Sequence, residues 1–590
     1  MSLRITQMTT KLSERIELGS LTVLVGPNNC GKSQTLRDIK NFITSGSASR
    51  LKSLQGLSVE LPDLIGAFAQ VQRVPEAQSP GNIRIRGVSY DLQTSHEVVV
   101  PEQWSERLFA DSTKPENQAQ ILQQMGSYWV SHLDAKGRFN LTAPTDAYDT
   151  RIESPRNALQ KFYSDRAIAQ PSLRSAFHDA FGVDIALDWA AMKRWYLRVG
   201  HSFGELPETN DELNALMAQA EELDEQGDGY KSFAGVVLSI LTFPNRLLLL
   251  DEPEAFLHPT QARVLGRWLA TSTQSRSAQV VIATHSADFL WGVLSANTNA
   301  TVVRLNRTIL GGTRYKVIPS ATTAGLVESP LLSSQPVLDA LFHKGVVVCE
   351  GDPDRSVYQT VAHKTLASAG GEEALFIHTN GKDAAKGPVQ LLREAGAPVC
   401  AIVDIDVLNS QQPLEGIVFA LTGASVPNDL EEVRQEIAAR VEEITLADLL
   451  LTLVASAKEW LAREHTDPRA ARKSLVHVAK KGLSKWDKVK AKGVDYFEGE
   501  TKVLVEDLLD RLATLGVFVV RCGELEKWID LGMSKGQRWN RAALEKLHAG
   551  DCPAPLRTFV AKVLAFMIPI DEPYAIPAVS VDASAPAPGR

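Results

Sequence analysis

Three carboxylates lie at the ends of two apolar runs in the second half of the chain. Residues 345–350 are Gly-Val-Val-Val-Cys-Glu, and residues 399–406 are Val-Cys-Ala-Ile-Val-Asp-Ile-Asp. If each run is a buried strand, Glu350 ends one strand and Asp404 and Asp406 end the other, so the acids gather at one edge of a parallel sheet. Oxygen ligands of this kind suit Mg²⁺ or Mn²⁺. Two such ions can stabilise both oxygens of a phosphodiester displacement.

A phosphate-binding loop occurs near the start of the chain. Residues 26–33 are Gly-Pro-Asn-Asn-Cys-Gly-Lys-Ser and fit G-x-x-x-x-G-K-[ST], between a predicted strand at 21–25 and a predicted helix at about 32–42. The backbone N–H groups of such a loop bind phosphates at the helix N-terminus. Lys32 would reach the β- and γ-phosphates, and Ser33 would bind Mg²⁺. The residues that we expect to bind ATP and its Mg²⁺ are Gly26, Asn29, Gly31, Lys32 and Ser33.

Two further runs complete an ATPase-like set. Residues 247–253 are Leu-Leu-Leu-Leu-Asp-Glu-Pro, which predicts a buried strand with Asp251 at its carboxyl end, beside the Mg²⁺. Glu252 would position and polarise the attacking water. Residues 280–286 are Val-Val-Ile-Ala-Thr-His-Ser, in which His285 would sense the γ-phosphate. An acid after a strand can simply cap a helix and a lone histidine is more often structural, but the acid pair beside a phosphate-binding loop favours catalysis.

Together with Leu257-His258-Pro259, these motifs resemble those of the ABC-type ATPases of the RecF and SMC class. In that class a signature helix precedes the Asp-Glu-Pro strand and contacts the nucleotide of a facing protomer. Residues 226–232, Gln-Gly-Asp-Gly-Tyr-Lys-Ser, occupy that place but depart from the usual Ser-Gly-Gly-Gln. The resemblance therefore implies a contact by Gly227 and Gly229 more than by Ser232, and a helix N-cap with a glycine turn is the alternative. Candidates for the Gln-loop are Gln70 and Gln72.

The carboxylates of the second half resemble the metal site of a TOPRIM domain. Glu350-Gly351 resembles the first TOPRIM motif, and Asp404-Ile-Asp406 resembles its D-x-D motif. An ABC-type head followed by a TOPRIM domain is similar to the overcoming-lysogenization-defect (OLD) nucleases, a family that includes the Gabija nuclease subunit. The resemblance implies two more acidic metal ligands and an assisting lysine. The matching residues are Asp354 for the second acid, Glu524 (favoured over Glu526) for the late acid, and Lys535 or Lys546 for the lysine.

Residues 458–492 are strongly basic and contain only four acids, and Trp460 and Trp486 are interleaved among the cations. Such a stretch beside the acidic site predicts a surface that contacts a nucleic-acid backbone. A solvated helical face is an equally good interpretation of the same charges. The basic residues are Lys458, Arg463, Arg469, Arg472, Lys473, Lys480, Lys481, Lys485, Lys488, Lys490 and Lys492.

Length predicts three or four domains, because 590 residues exceed what one core can hold. We expect an α/β protein: an ABC-type P-loop head with an inserted helical or dimerisation region, then a Rossmann-like TOPRIM domain with a basic helical insertion. A β-hairpin is predicted around Gly311-Gly312, followed by a linker at 321–335. The predicted boundaries are 1–45 and 226–320 for the ATPase head, 46–225 for its insertion, 340–425 and 500–575 for TOPRIM, 426–499 for the basic insertion, and 576–590 for a disordered tail.

Composition narrows the class of protein further. The five cysteines form no C-x-x-C pair, which argues against disulfides and structural zinc and fits a reducing cytosol. No apolar run approaches the ~20 residues of a membrane helix, and the first residues lack the apolar core of a signal peptide. A net charge of −8 means that any nucleic-acid contact must be local. We therefore expect a cytoplasmic protein without a membrane partner.

These motifs predict an ATP-regulated, divalent-metal-dependent DNA endonuclease of OLD type, with Mg²⁺, or alternatively Mn²⁺ or Ca²⁺, at the TOPRIM site. The family implies bacterial anti-phage defence, double-stranded DNA as a partner, a homodimer or homotetramer, and a second defence-system protein. One alternative is an ABC-type DNA-repair or sensor ATPase whose acidic site does not cleave. A TOPRIM nuclease that acts on RNA is another. TOPRIM sites also serve topoisomerases and primases, but no candidate context for a strand-passing tyrosine occurs.

Overall fold

The computed structural model describes residues 2–567, except 192, 208, 275–278, 309–310, 329–334, 380, 442–445, 463–466, 482–485 and 534–535. The chain divides into two compact units. The first comprises Met1–His343 with Glu394–Gly396, and the second comprises Lys344–Arg393 with Ala397–Arg590. The predicted tail at 576–590 lies outside the described residues.

The first unit contains strands and helices throughout its length. Its strands are β1 (Arg4–Thr10), β2 (Arg15–Glu17), β3 (Leu21–Val25), β4 (Leu54–Glu60), β5 (Gln72–Pro75), β6 (Asn82–Val88), β7 (Ser95–Pro101), β8 (Val130–Leu133), β9 (Thr145–Asp146), β10 (Asp184–Asp188), β11 (Arg194–Gly200), β12 (Glu221–Glu222), β13 (Leu247–Asp251), β14 (Val280–Ala283), β15 (Thr301–Arg307) and β16 (Thr313–Ile318). Its helices are α1 (Lys32–Ser45), α2 (Leu64–Phe68), α3 (Trp104–Phe109), α4 (Pro115–Trp129), α5 (Ala135–Thr142), α6 (Ala158–Ser164), α7 (Arg166–Phe181), α8 (Asn210–Met217), α9 (Asp228–Thr242), α10 (Pro259–Gln274), α11 (Ala287–Ala296), α12 (Ser320–Glu328) and α13 (Gln335–Asp339).

A six-stranded sheet with the order β16-β15-β3-β14-β13-β8 forms the centre of this unit. All of its neighbours pair in parallel except β15 and β16, which form the expected hairpin. Every residue of β3, β13 and β14 is buried, as expected for parallel strands covered on both faces. Helices α1 and α4 pack on one face, so closely that a Cβ on Gly126 would lie 1.9 Å from the carbonyl oxygen of Ile43. The parallel register brings the carboxyl ends of β3, β13 and β14 to one edge.

The described residues of this unit also form three smaller sheets: β2-β1-β4, β5-β6-β7, and β10-β11-β12 with β9 beside β11. All of their pairings are antiparallel. Residues 46–225 are thus rich in strands as well as helices, and they also supply β8 to the central sheet. The linker expected at 321–335 was wrong in its first half, because α12 is helical from Ser320 to Glu328.

The second unit is a four-stranded parallel sheet with helices on both faces. Its strands are β17 (Gly345–Cys349), β18 (Ala374–His378), β19 (Val399–Val403) and β20 (Val517–Val519), in the order β18-β17-β19-β20. Its helices are α14 (Asp352–Thr365), α15 (Lys386–Glu394), α16 (Gln411–Thr422), α17 (Asn428–Ala439), α18 (Leu446–Leu461), α19 (Pro468–Lys481), α20 (Asp487–Lys492), α21 (Gly499–Thr514), α22 (Gln537–His548) and α23 (Ala554–Met567).

Alternate side chains of β19 enter two separate cores. Cys400 and Ile402 pack with α14, α22 and α23, whereas Ala401 and Val403 pack with α16, α17 and α21. After β17 the chain first adds β18 on one side and then β19 on the other. The gap between β17 and β19 is therefore the topological switch point, where open α/β sheets bind ligands. Among the described residues, no helix has the length and apolarity needed to cross a membrane.

Candidate active sites

The phosphate-binding loop joins β3 to α1 and has the backbone conformation that its glycines permit. Gly26 has φ +143°, and a Cβ there would lie 2.3 Å from the carbonyl oxygen of Leu305, so only glycine fits. Asn29 and Gly31 also have positive φ. Lys32 is buried, and its Nζ donates to the carbonyl oxygens of Gly26 (2.7 Å) and of Pro27 (3.0 Å). The ammonium therefore lies inside the loop.

Ser33 and Asp251 meet at the edge of the central sheet. Ser33 Oγ donates to Asp251 Oδ1 at 2.9 Å, although 218 positions separate the two residues. Burial raises the pKa of Asp251, while the bond from Ser33 opposes this rise. A hydroxyl and a carboxylate joined in this way are suitable ligands for the Mg²⁺ of a bound nucleotide.

Glu252, His285 and Glu254 form a second group next to Asp251. His285 Nδ1 lies 3.3 Å from Glu252 Oε1 and 3.5 Å from Glu254 Oε1. The bond with Glu252 raises the pKa of His285, and the same bond lowers the pKa of Glu252. Glu254 is buried and also accepts from Thr284 Oγ1 (2.7 Å), and burial raises its pKa. Glu254 was not predicted, although its place in Asp-Glu-Pro-Glu could have indicated it.

A buried arginine fixes the backbone of the two acids. Arg138, on α5, donates from Nη1 to the carbonyl oxygen of Asp251 (2.7 Å) and from Nη2 to that of Glu252 (2.8 Å). Its Nε donates to Ser232 Oγ (3.2 Å) on α9. Glu252 has φ +50°, a left-handed conformation that costs a non-glycine residue free energy. Arg138 therefore connects the predicted signature helix to the acid pair, and no motif in the sequence marks it.

The signature residues differ in their environment. Ser232 is buried and bonded within its own chain, whereas Gly227 is exposed and a Cβ there would have no atom within 4 Å. At Gly229 a Cβ would lie 2.9 Å from the carbonyl oxygen of Phe256. The Gln-loop candidates are engaged elsewhere: Gln70 Oε1 accepts from Arg246 Nε (3.1 Å), and Gln72 Oε1 accepts from Ser154 Oγ (2.7 Å).

In the second unit, Glu350 and the two aspartates come together at the switch point. Glu350 follows β17, and its Oε1 accepts from the backbone N–H of Asp404 at 3.0 Å. Burial, reinforced by the charges of Asp404 and Asp406, raises the pKa of Glu350 to about 7. Asp354 is half-buried in the first turn of α14, and its Oδ2 would lie 3.1 Å from a Cβ on Gly351.

Two lysines contact these aspartates. Lys490 Nζ lies 3.0 Å from Asp404 Oδ2 and 3.4 Å from Asp406 Oδ1, and Lys382 Nζ lies 3.0 Å from Asp406 Oδ2. Burial would lower the pKa of Lys490, but Asp404 and Asp406 raise it above its ordinary value. Lys490 was predicted only as part of the basic stretch. Lys382 was not predicted, although it lies four residues after the end of β18.

The other residues predicted for the acidic site and for its basic surface differ in their surroundings. Glu524 is half-buried and follows Gly523, whose carbonyl oxygen accepts from the N–H of Ile405 (3.2 Å). Lys546 Nζ lies 3.3 Å from Asp551 Oδ2. Lys535 lies outside the described residues. Trp486 is buried in a core, which is contrary to the expected place within a nucleic-acid surface.

The carboxylate set fits a divalent cation in its chemistry. Asp406 Oδ1 is buried and accepts no hydrogen bond, although the Lys490 ammonium lies 3.4 Å from it, and three acids of like sign lie close together. Within the described part of the chain, however, no three His, Cys, Asp or Glu side chains are grouped so that they would hold a metal ion by themselves. Because the lysines already neutralise part of the charge, a metal ion would have to enter among them.

Comparison with known proteins finds one matching family model in each unit. Residues 21–290 match the family model described as AAA domain, putative AbiEii toxin, Type IV TA system, and residues 341–406 match the overcoming lysogenization defect protein-like TOPRIM domain. The Old nuclease of Escherichia phage P2 is 26% identical over 170 residues, which cover 28% of each chain. An uncharacterized protein of Methanocaldococcus jannaschii is 33% identical over 64 residues, which cover 11% of this chain and 56% of that one. The chain thus matches less than two thirds of either relative.

Among solved structures, the Smc head bound to the C-winged helix domain of ScpA has a TM-score of 0.32 at 10% identity, covering 53% of this chain and 97% of that one. The SMC head domain from Thermotoga maritima has a TM-score of 0.25 at 13% identity, covering 54% of this chain and 100% of that one.

The predicted α/β class and the resemblance to OLD nucleases are confirmed, and the likeness to the Gabija subunit stays a prediction. The chain combines an AAA-type ATPase domain with an OLD-like TOPRIM domain, which is consistent with the OLD family of nucleases.

Proposed function

We propose that this chain is an ATP-regulated, divalent-metal-dependent endonuclease of OLD type that cleaves double-stranded DNA. The observation that supports this most strongly is the meeting of Glu350, Asp404 and Asp406 at the switch point of a parallel sheet. In such a site the acids would hold Mg²⁺, or Mn²⁺ or Ca²⁺, together with Asp354 and Glu524. The ion would supply charge stabilisation for phosphodiester cleavage.

The first unit would bind and hydrolyse ATP. Lys32 and the loop N–H groups bind the phosphates, and Ser33 and Asp251 hold the Mg²⁺ of the nucleotide. Glu252 polarises the attacking water, and its bond to His285 keeps the carboxylate in place. The presence of both sites in one chain is what supports the proposal that ATP regulates cleavage.

The substrate proposal rests on exposed cations. Exposed basic side chains lie on α18, α19 and α20, where they can contact phosphates without reading bases. Those that the structure describes are Lys458, Arg469, Arg472, Lys473, Lys488 and Lys492.

Cleavage of a supercoiled plasmid tests the proposal directly. Wild-type protein with Mg²⁺ or Mn²⁺ should nick or cut the plasmid, and Glu350→Ala should not. Glu500→Gln, which alters an exposed acid on α21, serves as the matched control and should cut normally. Parallel reactions with and without ATP, and with an RNA of equal length, separate regulation from substrate choice. Cutting by Glu350→Ala would refute the assignment of the acidic site.

We further propose that ATP joins two heads of a homodimer, or of a homotetramer, through Gly227 and Gly229. Gly227 precedes α9 and has open space around it, so Gly227→Asp should leave the protomer intact. In light scattering, ATP should increase the molar mass of the Glu252→Gln protein, because two heads associate. It should leave the molar mass of the Glu252→Gln/Gly227→Asp protein unchanged. We also propose that the protein acts in anti-phage defence in the cytoplasm, together with a second defence-system protein. The domain boundaries given above are part of the same proposal.

A further inference from the structure

Helix α20, in the basic insertion, is held firmly against the acidic site. Gly523 has φ +105°, and a Cβ there would lie 2.0 Å from the carbonyl oxygen of Lys490. A Cβ on Gly493 would lie 2.2 Å from the carbonyl oxygen of Arg521, which also accepts from the N–H of Val494 at 2.9 Å. Two glycines thus allow the backbone of α20 and the loop after β20 to touch.

This contact carries the Lys490 ammonium into the acidic group. Neighbouring Lys488 and Lys492 are exposed, whereas the Lys490 side chain is only 25% exposed and lies between Asp404 and Asp406. Lys382 approaches Asp406 from the loop after β18. Oxygens of both aspartates that a divalent cation would need are therefore engaged by amines of the same chain.

We propose that Lys490 is a tethered counter-ion of the acidic site, which a divalent cation must displace, so that docking of α20 and metal binding oppose each other. The inference rests on the proposed metal site. An ammonium 3.0 Å from Asp404 Oδ2 repels a divalent cation bound to the same oxygen strongly at this burial. Because the two cations compete for the same atoms, each weakens the binding of the other by the same factor. The insertion thereby sets the metal concentration at which the site fills.

Mn²⁺ binding without nucleotide, followed by electron paramagnetic resonance, tests the inference. Lys490→Gln should bind Mn²⁺ roughly tenfold more tightly than wild type, equivalent to about 1.4 kcal/mol. Lys492→Gln changes the same charge on the same helix at an exposed position, and its affinity should stay within about twofold of wild type. The tighter binding should disappear in Glu350→Gln/Lys490→Gln, which would assign it to the acidic site and not to Asp251.

A second variant guards against misfolding. Lys490→Arg keeps the positive charge and should bind Mn²⁺ no more tightly than wild type. Equal affinity in wild type and Lys490→Gln, or equal gains in the Gln and Arg variants, would overturn the inference. If Mn²⁺ binds as described but no plasmid is cut, the proposed nuclease function fails while the counter-ion role stands. If no variant binds Mn²⁺ at this site, the metal assignment and the inference fail together.

Discussion

Replacing Glu350 by glutamine removes a buried charge and leaves its hydrogen bond in place. The side-chain oxygen of glutamine can still accept from the N–H of Asp404, as Glu350 Oε1 does at 3.0 Å. The substitution removes a titratable group, since glutamine does not ionise. In the wild type, burial and the nearby aspartates raise the pKa of Glu350 from its ordinary 4.5 to about 7. The folded chain therefore holds this proton more tightly than the unfolded chain, and folding stability falls as pH rises from about 4.5 to about 7.

The size of the effect follows from the two pKa values. At ~1.4 kcal/mol for each tenfold change in proton affinity, the ionised carboxylate costs the fold about 3 kcal/mol above the folded pKa. About 2 kcal/mol of this cost develops between roughly pH 5.5 and roughly pH 8.5. Glu350→Gln lacks it, so the variant should gain about 2 kcal/mol on wild type over that interval.

Urea denaturation in the presence of EDTA, followed by tryptophan fluorescence, measures the difference. Trp486 and Trp539 are buried in the second unit and report its unfolding. Glu500→Gln corrects for the general effect of pH and for the loss of one acid. A gap between Glu350→Gln and wild type that does not change with pH would refute the burial of an ionisable Glu350. Excess Mn²⁺ should stabilise the wild type by favouring its ionised carboxylate. The difference in the free energy of unfolding between Glu350→Gln and wild type should therefore become smaller.

Three further outcomes are expected. Glu252→Gln should bind ATP normally but hydrolyse it at least ~100-fold more slowly in single-turnover assays, since the carboxylate proposed to polarise the attacking water is lost. Arg138→Met should lower the free energy of unfolding by about 3 kcal/mol or more in urea titrations, since two buried carbonyl oxygens lose charged donors. Gly523→Ala should lower the free energy of unfolding by more than ~2 kcal/mol in the same assay. Gly499 also has positive φ but has open space around it, so Gly499→Ala should lower it by only about 1 kcal/mol. Equal losses in the two variants would show that the contact with α20 does not matter.

Much of the fold could be predicted because the functional strands are short, fully apolar and end in motif residues. The strands ending at Val25 and Asp251 and before Glu350 and Asp404 lie where their sequences predict them, since parallel strands buried on both faces have an unmistakable composition. The order of strands in each sheet could not be predicted, because pairing depends on distant parts of the chain. β8 illustrates this, since Val-Ser-His-Leu carries no strong strand signal.

The residues of the candidate sites likewise comprise those that sequence motifs mark and those that only the structure reveals. Motif residues such as Ser33 and Asp251 were predicted and do meet in the structure. Arg138, Lys382 and Lys490 act through tertiary contacts, and nothing in their local sequence distinguishes them from surface cations. Their roles became visible only from burial and distance.

The position of Arg138 has a consequence for recombination between related genes. Residues 46–225 interrupt the two halves of the ATPase motif set and look exchangeable as a cassette, yet they supply β8 and the guanidinium that holds Asp251 and Glu252. A chimera that replaced the whole segment would leave β13 as an open sheet edge, a template for aggregation. Breakpoints placed after Thr142 would retain both elements. In this chain β8 and Arg138 must therefore be inherited together with Asp251 and Glu252.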